Sequence, residues 1–186
     1  MKPKIFIALD TINLKKTKNI IKETQKSKIK FGYKFGLEFL NSIHGRRFVA
    51  GLKNKIIFAD YKISDIPNTC VSTIKAVKDL KLNYITIHIS SGLNALKASK
   101  KISGKTKLIG VTILTSLNNK SLKEIGFDKD VKKLVFQQAK LAAKAKLDAI
   151  VCSPHEIKIV KKVFKKEIIT PGIRLLGDSK GDQKRV

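Results

Sequence analysis

Residues 56–70 read IIFADYKISDIPNTC. An apolar run of strand length ends in Asp60; Lys62 follows two residues later, Asp65 three beyond that, and then a Pro67-Asn68 pair. Strands that are almost continuously apolar are those buried on both faces, as in parallel sheets covered by helices. The charged residues therefore mark the C-terminal tip of a buried strand, and Pro67 suits the first turn of a following helix. On a regular strand, side chains two apart share a face about 6.6–6.8 Å apart, so Asp60 and Lys62 look the same way. Such a pair is either a salt-bridge cluster that satisfies a strand end or part of a site, and D-x-K alone does not choose between them.

Outward from this segment the pattern repeats. Apolar strands at 4–9, 29–34, 55–60, 84–89, 107–114, 148–152 and 167–173 alternate with segments of helical period. Those segments run to about 25 and about 52, and then over 67–80, 93–101, 129–146 and 154–165. Strand-helix alternation of this kind implies βαβ units and a parallel sheet. Seven evenly spaced units fit a TM (β/α)8-type barrel better than a doubly wound sheet, because ALDTINLK after the first strand has no glycine for a dinucleotide-binding turn. Asp10, Lys34, Asp60, Lys62, His88, Thr115 and Ser116 all fall at or just past strand C-terminal ends, the face on which barrel enzymes place their chemistry. No repeat, low-complexity tract or linker divides the chain, so residues 1–186 read as one α/β domain.

Composition bounds the function classes. The formal net charge of +26 first suggests a partner rich in phosphate. Of the 40 basic residues, however, only Arg46, Arg47, Arg174 and Arg185 are arginine, and the lysines are spread along the chain without aromatic interleaving. A phosphate- or base-reading surface favours the bidentate guanidinium, so the reading is a lysine-biased solvated surface and nucleic acid is not the expected partner. IFIAL near the start is too short for a signal-peptide core and no A-x-A pattern follows, so no membrane association is expected. Cys70 and Cys152 stand far apart, which points away from a disulfide framework and toward a reducing, cytoplasmic setting. His44, His88 and His155 lack metal-ligand spacing, and His88 at a strand end reads as a structural group.

The motifs taken together resemble one family. DYKISDIPNT (60–69) is similar to the D-x-K-x-x-D-I-x-x-T signature of the orotidine 5'-phosphate decarboxylases. IALD, YKFGLEF, GVTILTSL, VCSPHE and ITPGIRLLGDSKGDQKRV resemble the family's first, second, fifth, sixth and seventh strand segments in order, so the likeness covers essentially the whole chain. It implies a ribulose-phosphate-binding-type barrel that converts orotidine 5'-phosphate to UMP in pyrimidine biosynthesis without a cofactor or metal. By the same resemblance Lys62 is the proton donor, Asp60 lies beside the departing carboxylate, Lys34 pairs with Asp60 and the ribose, and Asp10 holds the ribose. Asp65, Ile66 and Thr69 reach into the neighbouring subunit's site in a homodimer. Thr115 and Ser116 contact the pyrimidine edge, and Pro171, Arg174 and Gln183 belong to the phosphate-gripping loop.

Family members continue with a helix and an eighth strand ending in an Ile-Gly-Arg segment, whereas the sequence stops at Val186. The expectation is an open barrel with about seven of eight βα units, with exposed edges on the first and seventh strands and half a phosphate pocket. Little or no turnover is expected of such a chain until the eighth unit is appended. Two alternatives remain: a related sugar-phosphate decarboxylase of the same barrel class, and a non-catalytic, lysine-rich polyanion-binding barrel.

Overall fold

The structure is a computed structural model that describes residues 5–173 and 184–185. Seven strands, β1 (Ile5–Ala8), β2 (Phe31–Gly36), β3 (Ile56–Ile63), β4 (Tyr84–His88), β5 (Lys107–Val111), β6 (Ala149–Val151) and β7 (Glu167–Ile169), pair in parallel in sequence order. Sequential order is that of a singly wound barrel wall, as expected, and not of a doubly wound sheet. The wall curls. The Phe6 ring of β1 meets Phe58 of β3 at 5.1 Å and Tyr84 of β4 at 5.2 Å, both edge-on, across the interior. Phe58, Tyr84, Ile109 and Ala149, with Phe6, Ile56, Val151 and Ile169 against them, fill that interior. A larger core of outward-facing residues, including Phe35, Ile85, Ile87, Leu108 and Ile150, packs under the helices. Among the described residues β1 and β7 are the outer strands.

The helices are α1 (Leu14–Gln25), α2 (Leu37–Leu40), α3 (Gly45–Gly51), α4 (Pro67–Ala76), α5 (Gly92–Ile102), α6 (Asn119–Glu124), α7 (Val131–Lys144) and α8 (Ile157–Val163). Their starts follow local chemistry. Asn13, Asn118 and Asp130 accept the Lys16, Ser121 and Lys133 amides at α1, α6 and α7, which pairs otherwise orphaned donors. Pro67 opens α4 as expected. No helix among the described residues is long and apolar enough to cross a membrane.

Several boundaries differ from the sequence expectation. The helix expected to run to about 52 is broken into α2 and α3, because the Asn41 amide and Ser42 hydroxyl side chains bond back to the Leu37 and Phe39 carbonyls. Gly45 then passes so close to the Phe39 carbonyl that a Cβ there would sit 1.6 Å from its oxygen. The 67–80 helix ends at Ala76 and gives way to a 3-10 turn at Lys78–Leu80. β7 stops at Ile169 because Pro171 lacks a donor and Gly172 turns the chain at φ 78°. β2 and β3 run further than expected, through Gly36 and Ile63, and α6 fills a stretch that carried no helical expectation.

Candidate active site

The end of β3 is irregular. Its pairing with β4 shifts register between Ala59 and Ile63, and Lys62 has φ 47°, a left-handed conformation uncommon for a residue with a side chain. Irregularities of this kind re-aim side chains next to active sites. The even two-residue spacing expected for Asp60 and Lys62 is thus a correction. Both still face the barrel mouth, but the kink at Lys62 brings its Nζ to 2.9 Å from Asp60 Oδ2. Lys34 Nζ of β2 lies 3.5 Å from the same oxygen and donates to both Asp10 carboxylate oxygens at 3.1 and 3.2 Å. The result is one alternating chain, Asp10–Lys34–Asp60–Lys62, drawn from three adjacent strand ends. Gly36 makes room for it: a Cβ there would come within 2.6 Å of Asp10 Oδ1.

Asp60 is the buried member, 8% exposed. Burial pushes its pKa up, but the Lys62 and Lys34 charges and the bonds from Lys62 and Thr86 outweigh it and hold the carboxyl below its ordinary 3.8. The chain is charge-alternating, so each ion is compensated by its neighbour and the desolvation of any one is tolerable. His88, half-buried at the end of β4, is pushed below its ordinary 6.5 chiefly by burial and secondarily by the Lys62 charge, with Asp60 opposing. Both shifts have the same consequence for stability. Acidification from about 6.5 protonates His88 in the unfolded chain before the folded one, and below about 3.8 the unfolded carboxyl of Asp60 likewise takes its proton first. Unfolding free energy is therefore expected to fall with pH in these two windows. Urea titrations across pH 3–7 check this, and His88→Asn should flatten the upper window only.

The mouth encloses a cavity of about 510 Å³, within the range of small-molecule sites. Asp10, Lys34, Asp60 and Lys62 line one side; Thr115, Ser116 and Pro171 line the other. Phe6, Phe58, Val111 and Ile169 floor it with apolar surface. Cys152 also borders it, but burial raises its thiol to about 11, which keeps it protonated and unsuited to nucleophilic work. Asp65, Ile66 and Thr69 do not line the cavity. Asp65 and Ile66 are exposed at the start of α4, and the Asp65 carboxylate accepts the Ile66 amide at 2.7 Å. Arg174 and Gln183 lie outside the described residues.

Two groups that the sequence reading passed over stand beside these. Thr86 of β4, fully buried, donates to Asp60 Oδ1 at 3.0 Å and accepts the Lys62 backbone amide at 2.8 Å. Its signal was visible: in YITIHI it is the one threonine, on the same face as Tyr84 and His88. Arg185 is the other. Its guanidinium pairs with the buried Glu156 and donates to the carbonyls of Ile113, Leu114 and Leu117, the loop that carries Thr115 and Ser116.

The sequence model of the Orotidine 5'-phosphate decarboxylase / HUMPS family matches residues 3–186. The chain belongs to this family. It is 40% identical over 193 residues to the orotidine 5'-phosphate decarboxylase of Buchnera aphidicola subsp. Schizaphis graminum, covering 99% of this chain and 80% of that protein. It is 42% identical over 187 residues to the one from Wolbachia sp. subsp. Brugia malayi, covering 97% and 81%. The crystal structure of orotidine 5'-monophosphate decarboxylase from Methanocaldococcus jannaschii, complexed with the inhibitor BMP, superposes with a TM-score of 0.78 at 25% identity over 98% of this chain and 83% of that one. The family's barrel is thus the architecture seen here. These relatives do not favour the sugar-phosphate or polyanion-binding alternatives. In this chain the D-x-K pair of Asp60 and Lys62 falls where the cavity, the charge chain and the strand irregularity coincide.

Proposed function

We propose that the chain decarboxylates orotidine 5'-phosphate to UMP at the cavity lined by Asp10, Lys34, Asp60 and Lys62. The observation that carries this reading is the alternating charge chain, whose outermost ammonium, Lys62, borders the cavity and among the described residues pairs with Asp60 alone. When the bond from the pyrimidine ring to its carboxylate breaks, CO2 leaves and the electron pair stays on the ring carbon. Lys62 is the cation placed to stabilise that pair, and it then supplies the proton that converts the carbanion to UMP, regaining one from water afterwards. Fixed charges in a partly dry site do this without reorganising at the moment of reaction. Asp60 holds Lys62 in place, Lys34 holds Asp60, and Asp10 with Lys34 meets the ribose. Thr115 and Ser116 contact the base from across the cavity, and Pro171, Arg174 and Gln183 grip the phosphate, whose binding energy favours the reactive arrangement. The reaction belongs to the cytoplasm and to pyrimidine biosynthesis.

The direct test is conversion of orotidine 5'-phosphate to UMP, followed by loss of absorbance, by the purified chain alone and with the family's eighth βα unit appended; absence of turnover above the Lys62→Ala background in both would overturn the reading. The exposed Asp65, Ile66 and, behind them, Thr69 do not reach their own cavity, which supports a homodimer in which this segment completes the neighbour's site. Lys62→Ala and Asp65→Ala chains, each inactive alone, should then regain part of the turnover when mixed and exchanged. With one intact site per heterodimer and random exchange, recovery approaches roughly a quarter of the wild-type rate. No recovery despite demonstrated exchange refutes the shared site.

A further inference from the structure

We infer that Thr86 is a positioning residue that sets the geometry of the Asp60–Lys62 pair, an inference that rests on the decarboxylase reading of that pair. Three observations converge on its hydroxyl. It donates to Asp60 Oδ1, whereas the ion pairs of Lys62 and Lys34 run to Oδ2. It accepts the backbone amide of Lys62, and it is fully buried between strands that shift register at this point. Where the ladder is irregular, the Lys62 amide donates to a side chain, the Thr86 oxygen.

The arrangement works as a clamp with two jaws. One jaw fixes the rotation of the Asp60 carboxylate, so that Oδ2 points at the two ammonium groups. The other holds Lys62 in its left-handed conformation, which a side-chain-bearing residue keeps only where surrounding structure over-determines it. A single hydroxyl therefore orients both members of the pair, and a valine of nearly the same shape has neither the donor nor the acceptor. Because Thr86 does not border the cavity, its replacement acts on the reacting groups through their orientation and leaves the binding contacts in place.

The experiment compares T86V, T86A and T86S in the full chain. T86V is expected to lower kcat about 10- to 100-fold, the scale of one lost hydrogen bond to a charged group, with KM within about twofold. T86S, which keeps the hydroxyl, should recover most of kcat. T86A removes the methyl packing as well, so an effect common to T86V and T86A and absent from T86S belongs to the hydroxyl. Wild-type kcat in T86V, or T86S as impaired as T86V, overturns the inference. A second readout does not depend on turnover. Carboxyl-carbon NMR of aspartate-labelled protein follows the titration of Asp60, whose other neighbours Lys34, Lys62 and His88 are unchanged in every variant. Its pKa should rise in T86V relative to wild type and T86S, and an unchanged titration also overturns the inference. Should the wild-type chain show no decarboxylation, the proposed function fails while the clamp is still decided by this titration.

Discussion

Lys62→Ala is expected to remove decarboxylase turnover by on the order of 10⁴-fold or more, with the fold intact. Two contributions are lost together. A positioned general acid is worth roughly 10²–10⁴ in rate, and one preorganised charge aimed at developing negative charge adds about 10²–10³. The side chain is partly exposed, and Lys34 and Thr86 still meet the Asp60 carboxylate when it is removed, so thermal unfolding should move little. Lys62→Arg separates the two contributions. The guanidinium keeps the charge but does not release a proton near neutrality, so this variant should stay about 10²- to 10⁴-fold below wild type while exceeding Lys62→Ala. Initial rates on orotidine 5'-phosphate measure both, and near-normal turnover in either would remove Lys62 from the chemistry.

Most of what places Lys62 was legible in the sequence. Short apolar runs ending in polar residues gave a parallel barrel wall, and the strand ends collected Asp10, Lys34, Asp60 and Lys62 on one face because every strand runs the same way. What was not legible is where local regularity fails. The two-residue period assumes an unbroken pleat, and nothing in DYK announces that Lys62 leaves it. The helix running toward residue 52 was read from its apolar period, but Asn41 and Ser42 compete for the same carbonyls and Gly45 packs onto the Phe39 carbonyl, so tertiary contact and side-chain capping override the period. Thr86 was passed over because a lone threonine in an isoleucine-rich strand fits β-propensity without any function. Glu156 and Arg185 were harder still. They are 29 positions apart, both look like surface residues by type, and only the fold makes one bury the other.

That pair sets the second large expected effect: Arg185→Met should destabilise the chain by about 3–5 kcal/mol at neutral pH, the usual cost of removing one partner from a buried ion pair. The asymmetry between the partners decides which deletion hurts more. Glu156 is 3% exposed and fixed in place, because its carboxylate caps the Ser153 amide in the turn before α8, so it cannot swing out to water when the guanidinium is gone. The unpaired carboxyl then takes up a proton more readily in the folded chain than in the unfolded one. The loss should accordingly grow as pH rises from glutamate's ordinary value of about 4.3 and shrink in acid, opposite in direction to the effects of Asp60 and His88. Adding Glu156→Gln to Arg185→Met should return most of the stability, since no buried charge is left unmatched. Denaturant titrations of the two single variants and the double variant at pH 5 and 7.5 give the coupling directly. Activity supplies a second reading of the same bonds. Arg185 also ties down the carbonyls of Ile113, Leu114 and Leu117, and the Lys184 and Arg185 amides both donate to the Thr115 carbonyl. The double variant, stable but without the guanidinium, should therefore bind UMP more weakly than wild type through a loosened Thr115–Ser116 loop. Additive single-variant effects with no pH dependence would show that Glu156 and Arg185 do not act as a pair.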